Sequence, residues 1–286
     1  MKIQDLLTQA VNQLMDVHIE NPRFEAEVLL AHVLHCSRVY FYAHGQDEVP
    51  KEKIAEFQSK LKRRCQFEPM AYIFGEKEFM GLTFKVNANV LIPRPDTESL
   101  VTGILEEVLP MMTKIKNPKV LDLCTGSGAI GLSLKHYAPN LQVTLGDISK
   151  DALLVADENA QTLGIDVKLV QGDLFEHLQD QCFDLIVSNP PYIPSEEVNS
   201  LQKDIVNYEP RLALDGGETG FDLYKKIIVE SKSILNSGGY LILEAGDRQA
   251  QGLENLLKEN EYIVGNGFYD LIGIQRGVLG KTTFYK

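Results

Sequence analysis

Val120-Leu121-Asp122-Leu123-Cys124-Thr125-Gly126-Ser127-Gly128-Ala129-Ile130-Gly131 reads as a buried strand, a glycine-rich turn and the start of a helix. Gly126 and Gly128 let the backbone approach a ligand closely, and Gly131 lets the helix settle onto the sheet. Asp147 closes the next apolar run, some twenty residues on, placed to accept hydrogen bonds from ribose hydroxyls. Glycines alone are weak evidence. With the strand before them and Asp147 after them, the pattern points to a nucleoside ligand.

From this stretch outward the chain alternates strand and helix. Strands are expected at Val120–Leu123, Val143–Gly146, Val167–Val170, Phe183–Ser188 and Tyr240–Leu243. Helices are expected near Ala129–Tyr137, Lys150–Leu163, Phe221–Leu235 and Ala250–Asn260. Strands separated by helices make βαβ units and a parallel sheet. Two last strands, near Tyr262–Tyr269 and Ile274–Leu279, lack a helix between them and must run antiparallel. The fold class is α/β, with a mostly parallel seven-stranded sheet.

The position of Asp122 narrows the ligand. A dinucleotide needs a helix N-terminus free for pyrophosphate, whereas a carboxylate beside the loop suits a cation such as the sulfonium and ammonium groups of S-adenosylmethionine. Asp122 can equally be a buried acid bonded to loop amides, and both roles are compatible. Asp173-Leu174 ends the third strand, where Asp173 could accept from an adenine amino group and Leu174 could cover the ring.

Asn189-Pro190-Pro191-Tyr192 directly follows the all-apolar strand Phe183–Ser188. Two prolines cannot continue a central strand, so the chain turns at its carboxyl end, where open α/β sheets bind their ligands. The corner offers a carboxamide, carbonyls and an aromatic ring, enough to hold a planar –NH2 group. The bland alternative is a polar turn, since Asn-Pro commonly opens one.

Residues 1–70 read as a small helical bundle with apolar stripes such as Ile3, Leu6, Leu7, Ala10 and Leu14, a module for recognising a partner protein or merely a prop. Residues 71–92 alternate as a β-hairpin connector, and 93–286 form the main domain. Arg94, between Pro93 and Pro95, is either a surface residue or a positioning group. The net charge of −12 argues against nucleic-acid binding, and the basic run Lys60–Arg64 reads as a solvated helix end. Four cysteines (Cys36, Cys65, Cys124, Cys182) without C-x-x-C spacing suggest free thiols in a cytoplasmic protein without a metal site. Neither a signal peptide nor a membrane-spanning run is expected.

With both stretches in hand the chain resembles class I S-adenosylmethionine-dependent methyltransferases, which are Rossmann-like. More narrowly, it resembles the HemK/PrmC family, protein-(glutamine-N5) methyltransferases acting on peptide chain release factors. The resemblance rests on Ile92-Pro93-Arg94-Pro95-Asp96-Thr97-Glu98, the Asp122–Gly131 loop, Asp147, Asp173, Asn189–Tyr192 and Tyr208-Glu209-Pro210-Arg211-Leu212-Ala213-Leu214 with Gly216, Gly217 and Gly220. It implies that Cys124, Thr125, Gly126, Ser127, Gly128, Asp147, Leu174 and Asn189 bind S-adenosylmethionine, beside the Asp122 and Asp173 read above as cofactor contacts, leaving S-adenosyl-L-homocysteine as product. It further implies that Asn189, Pro190, Pro191 and Tyr192 hold the glutamine of a Gly-Gly-Gln loop on a class I release factor; the expected catalytic residues are Asn189 and Pro190, as acceptors of the two amide N–H bonds, and Tyr192, packing on the amide plane. Many relatives carry glycine at the position of Cys124 and an aromatic at that of Leu174. Cysteine is tolerable there if its backbone geometry is ordinary. The rivals are a DNA adenine-N6 methyltransferase, which shares Asn-Pro-Pro-Tyr but needs base flipping and a basic groove, a non-catalytic nucleotide sensor, and a nicotinamide oxidoreductase supported only by the glycines.

Overall fold

The computed structural model describes residues 1–283 and resolves into two units, Met1–Gly75 with Gln202–Tyr208, and Glu76–Leu201 with the chain from Glu209 onward. The first holds α1 (Ile3–Asp16), α2 (Pro22–Leu34), α3 (Tyr40–His44), α4 (Lys51–Cys65) and α5 (Met70–Phe74). The stripe Ile3, Leu6, Leu7, Ala10 and Leu14 is buried, against Ala26, Leu29, Leu30 and Val33 of α2 and Phe57 and Leu61 of α4. The run Lys60–Arg64 is not the solvated helix end expected of it. Arg64 is buried in an ion pair with Glu25 (2.5 Å), and Arg63 grips Glu68 (2.5 Å) and the Tyr72 carbonyl (3.1 Å). These cations fasten the segment that follows α4.

That unit also recruits a later piece of chain, α10 (Lys203–Tyr208), after α6 (Pro95–Gly103), α7 (Leu109–Met111), α8 (Ala129–Tyr137) and α9 (Lys150–Leu163) of the second unit. The Tyr208 hydroxyl donates to the Gln66 carbonyl (2.7 Å), and Lys203 lies over the Phe67 ring (4.6 Å). Nothing local in the sequence announces this return.

In the second unit β1 (Glu76–Phe79) and β2 (Leu82–Lys85) form an antiparallel hairpin. It is part of this unit rather than a connector. Phe79 and Phe84 are buried in the main core, and Asn159 of α9 bonds both backbone groups of Lys85 (2.7 and 3.0 Å). The boundary therefore falls at Gly75/Glu76.

The remaining elements are β3 (Lys119–Leu123), β4 (Gln142–Asp147), β5 (Lys168–Gln171), β6 (Phe183–Ser188), α11 (Asp222–Glu230), β7 (Leu235–Glu244), α12 (Ala250–Glu259), β8 (Ile263–Val264), β9 (Phe268–Tyr269) and β10 (Gln275–Lys281). The sheet runs in the order β5-β4-β3-β6-β7-β10-β8, with β9 also on β10. Strands β3 to β7 are parallel, and β10 is antiparallel to β7. The strand expected over 262–269 is split into β8 and β9, which share one position in the sheet; a Cβ on intervening Gly265 would sit 2.2 Å from Leu279. Leu235 opens β7 instead of closing a helix. Apolar side chains pack both faces. Leu185, Val187 and Ile242 meet Leu100 and Val101 of α6 on one, while Leu121, Ile186, Leu241 and Leu243 meet Tyr224, Ile227 and Ile228 of α11 on the other.

The chain leaves β3 toward β4 and β5, then returns to place β6 beside β3 on the opposite side. The carboxyl ends of β3 and β6 thus flank the topological switch point, where loops diverge and open a crevice. Among the described residues no helix is long and apolar enough to cross a membrane, and no group of three or more His, Cys, Asp or Glu could hold a metal ion.

Candidate active site

The loop after β3 is held from behind by Asp122. Its carboxylate accepts from the Thr125 hydroxyl (2.6 Å) and the Gly131 N–H (2.8 Å), spanning the turn from strand to helix. Burial pushes Asp122 up to about 7. A Cβ on Gly131 would lie 3.0 Å from that carboxylate and 2.4 Å from Leu145, so glycine is required for the grip. Asp122 and Gly128 do not line the cavity in front of the loop, whereas Cys124, Thr125, Gly126 and Ser127 do. Gly128, at φ +81°, turns the chain into α8.

Cys124 sits at φ +58°, so the ordinary backbone geometry on which its easy tolerance depended is not met. A non-glycine residue in this left-handed region costs about 1–2 kcal/mol, which accounts for glycine being suited to this position. Burial raises its thiol to about 12, which leaves it protonated and inert. Leu174, also left-handed (φ +49°), is buried and lines the cavity together with Asp173.

Asp147 ends β4 facing the same space. Its two oxygens accept from the Gly126 and Ser149 N–H groups (both 2.9 Å), and burial outweighs these bonds to raise its pKa. A carboxylate has about four lone-pair sites, so acceptor capacity remains on both oxygens for a pair of hydroxyls.

Across the switch point, the Ser188 hydroxyl donates to the Leu123 carbonyl (2.7 Å), pinning the end of β6 to the end of β3. Asn189 and Pro191 line the same cavity as Gly126, Asp147 and Leu174; Pro190 and Tyr192 do not. Tyr192 instead packs beside Gly246, where a Cβ would come within 2.7 Å of its ring, and its carbonyl accepts from Gln249 (3.0 Å). Burial raises its phenol to about 12. The chain beyond the corner is clamped by Gly216 N–H to the Ile193 carbonyl (2.8 Å), Ile193 N–H to the Leu214 carbonyl (3.0 Å) and the Ser195 hydroxyl to Asp215 (2.5 Å).

One wall was not legible beforehand. Asn89, Val90, Leu91, Pro93 and Arg94 line the cavity, as do Pro210, Leu212 and Ala213, and Glu209 joins the two stretches. Its almost fully buried carboxylate accepts from Arg94 (2.5 Å) and from the Ile92 N–H (3.2 Å). Arg94 is thereby a positioning group, and the Pro-Arg-Pro and Tyr-Glu-Pro stretches are two sides of one joint. The only advance sign of the joint was the stiffness of the prolines.

The cavity combines backbone approach at Gly126, acceptors at two strand ends, apolar cover from Leu174 and a carboxamide at the far side. That donor and acceptor set fits an adenosyl ligand better than a pyrophosphate, for which the amides near Gly126 and Ser149 are already taken by Asp147.

Comparison with known proteins agrees with this assembly. Residues 5–75 match the PrmC N-terminal domain, and residues 101–272 match the methyltransferase small domain. The release factor glutamine methyltransferase of Clostridium acetobutylicum is 38% identical, over 98% of each chain. That of Moorella thermoacetica is 41% identical, over 90% of each chain. Among solved structures, the hMettl16 catalytic domain superposes with a TM-score of 0.56 at 15% identity, covering 82% of this chain and 83% of that one, which supports the fold alone. On residues and architecture together, the chain belongs to the release factor glutamine methyltransferase family, the HemK/PrmC methyltransferases.

Proposed function

We propose that this protein transfers the methyl group of S-adenosylmethionine to the side-chain amide nitrogen of the glutamine in the Gly-Gly-Gln loop of a class I release factor. The observation that carries the reading is the placing of Asn189 on the same cavity as Gly126 and Asp147. The cofactor, when bound, supplies a methyl group already activated on a positive sulfur. Asp147 accepts from the ribose hydroxyls, Asp173 from the adenine amino group, and Leu174 covers the ring. The loop Cys124–Ser127 lies along the cofactor, while Asp122 and Gly128 hold that loop in shape.

An amide nitrogen shares its lone pair with its carbonyl and is a poor nucleophile, so orientation must do much of the work. The Asn189 side-chain oxygen and the Pro190 carbonyl accept its two N–H bonds and favour positive charge developing there. Pro191 fixes the turn. Because Tyr192 stands outside the cofactor cavity, the glutamine approaches from the side of that ring and packs on it.

Incubating the protein with methyl-labelled cofactor and either a release factor or duplex DNA tests the assignment. The expected result is one methyl on the Gly-Gly-Gln glutamine, located by mass spectrometry of the peptide. Label on adenine would overturn it in favour of the DNA enzyme. The sequence charge of −12 and the engagement of Arg63 and Arg64 in ion pairs weigh against a nucleic-acid substrate.

The first unit is the proposed recognition module for the release factor. It exposes Phe24 (51%), Val39 (72%) and Tyr42 (79%). Exposed aromatics anchor interfaces. Tyr42→Ser is expected to raise KM for the whole factor by about tenfold and to leave KM for a short Gly-Gly-Gln peptide unchanged. Steady-state kinetics on both substrates check it, and equal effects on the two would remove the role.

A further inference from the structure

A second acid stands at the reacting corner. Ser188 pairs with Leu243 across the parallel strands β6 and β7, so Asn189 and Glu244 follow side by side at the two strand ends. Neighbouring strands are about 4.8 Å apart. Val187 and Ile242 both face α6, and side chains alternate along a strand. Asn189 and Glu244, two residues further on, share that face.

Glu244 is 4% exposed, and its Oε2 has no hydrogen-bond partner among the described residues. The charged groups around it are spoken for. Arg94, from the loop before α6, is paired with Glu209, and Arg276 of β10 is paired with Asp270 (2.7 Å) and with Asp96 of α6 (3.0 Å). The Tyr192 phenol and the Tyr224 hydroxyl complete the surroundings, the latter bonded to the Glu244 backbone carbonyl (2.7 Å). Thr97 of α6 adjoins the carboxyl, lines the cavity and is itself buried, with its hydroxyl unpartnered in good geometry. A buried acid left without a cation is costly, and a fold keeps one where its charge or its proton is used.

We infer that the Glu244 carboxylate, set behind the cavity wall, is the base that takes the proton lost by the glutamine nitrogen, relayed by the Thr97 hydroxyl that lines the cavity. This inference rests on the function proposed above. As the nitrogen lone pair forms its bond to the methyl carbon, the carbon–sulfur electron pair returns to sulfur. The nitrogen, now bearing the positive charge, must shed one of its two protons. Asn189 and the Pro190 carbonyl orient those protons without removing one. The carboxylate beside Asn189 receives the proton and passes it to water when product leaves. The sulfonium charge favours the ionised acid once cofactor is bound, and the charge moving onto nitrogen brings it toward the same carboxylate.

Burial raises Glu244 to about 7, with a smaller lowering by Thr97, so its ionisation falls in the working range of a base. The base must be deprotonated, so the rate rises with pH through this region and levels off above it.

The test is the single-turnover rate on release factor across pH, for wild type, Glu244→Gln and Thr97→Val, with cofactor affinity measured calorimetrically. Wild type should show an acid limb near or somewhat below pH 7. Glu244→Gln, nearly identical in shape, should lose roughly 10²-fold on the plateau, lose the limb, and bind cofactor normally. Thr97→Val should lower the plateau as well and move the remaining limb to higher pH. A Glu244→Gln profile that overlays wild type overturns the inference. Should that variant fail to bind cofactor, an unmoved limb in Thr97→Val overturns it instead. Wild type that methylates no release factor would sink the proposed function and this inference together, whereas methylation by wild type and Glu244→Gln alike sinks this inference only.

Discussion

Asn189→Ala is expected to lower the single-turnover rate on a release factor by about 10²–10³, roughly 3–4 kcal/mol of transition-state stabilisation. Its cofactor affinity should change only a few-fold. The asymmetry follows from position. Asn189 is one wall residue of the cavity, while Gly126, Asp147, Asp173 and Leu174 supply the rest of the proposed cofactor contacts. At the nitrogen, by contrast, it is one of two acceptors, and its loss leaves a polar group unpaired and the lone pair poorly aimed. The backbone of the corner survives the change, since the Ser188–Leu123 bond and the Ile193–Gly216 pairing involve no Asn189 side-chain atom. Rapid-quench measurement at saturating cofactor, beside calorimetric binding, checks both halves. A variant with a wild-type rate would refute the assignment.

Gly216→Ala should be nearly as damaging, although Gly216 touches neither proposed substrate. Its backbone is in an ordinary conformation, so the cause is space alone. A Cβ there would lie 2.6 Å from Tyr192 Cα and 2.8 Å from the Pro191 carbonyl oxygen, both backbone atoms that cannot rotate away. The corner itself must move. A displacement near 1 Å costs on the order of 10²-fold in rate, so kcat should fall about that far. Gly164→Ala is the control. Gly164 is the opposite case: its backbone is left-handed (φ +67°), and it ends α9 with nothing within 4 Å of where a Cβ would sit. It should lower Tm and leave kcat alone. If Gly216→Ala keeps wild-type kcat, the clamp on Asn189–Tyr192 is not as rigid as the geometry requires.

What could be read from sequence was local. The strand, glycine turn and helix lie within Val120–Gly131, the apolar run before Asn189 is unbroken, and short spacings forced the last strands antiparallel. These are patterns in which a residue's neighbours in sequence decide its geometry. What escaped was set by distant chain. Glu209 meets Arg94 across 115 positions, and Tyr208 meets Gln66 across 142. No periodicity encodes such pairings. Asp122 was rightly seen as an acid beside the loop, but whether it faces ligand or backbone depends on the side of the turn, which two bonds decide. The basic run after Leu61 looked solvated because Glu25 and Glu68, which hold it, are separated from it by a helix in one case and a turn in the other. Glu244 follows the strand expected over Tyr240–Leu243 and belongs to no motif. Its interest lies in what its neighbours have already paired with.

The left-handed cysteine at position 124 has an evolutionary corollary. Glycine there would relieve about 1–2 kcal/mol of backbone strain but would loosen the unfolded chain by about 0.4–1 kcal/mol, and the hole left by the thiol would subtract more. These contributions nearly cancel. Selection on stability is then almost blind to the exchange, and lineages can drift between the two residues without passing through a poorly folded ancestor.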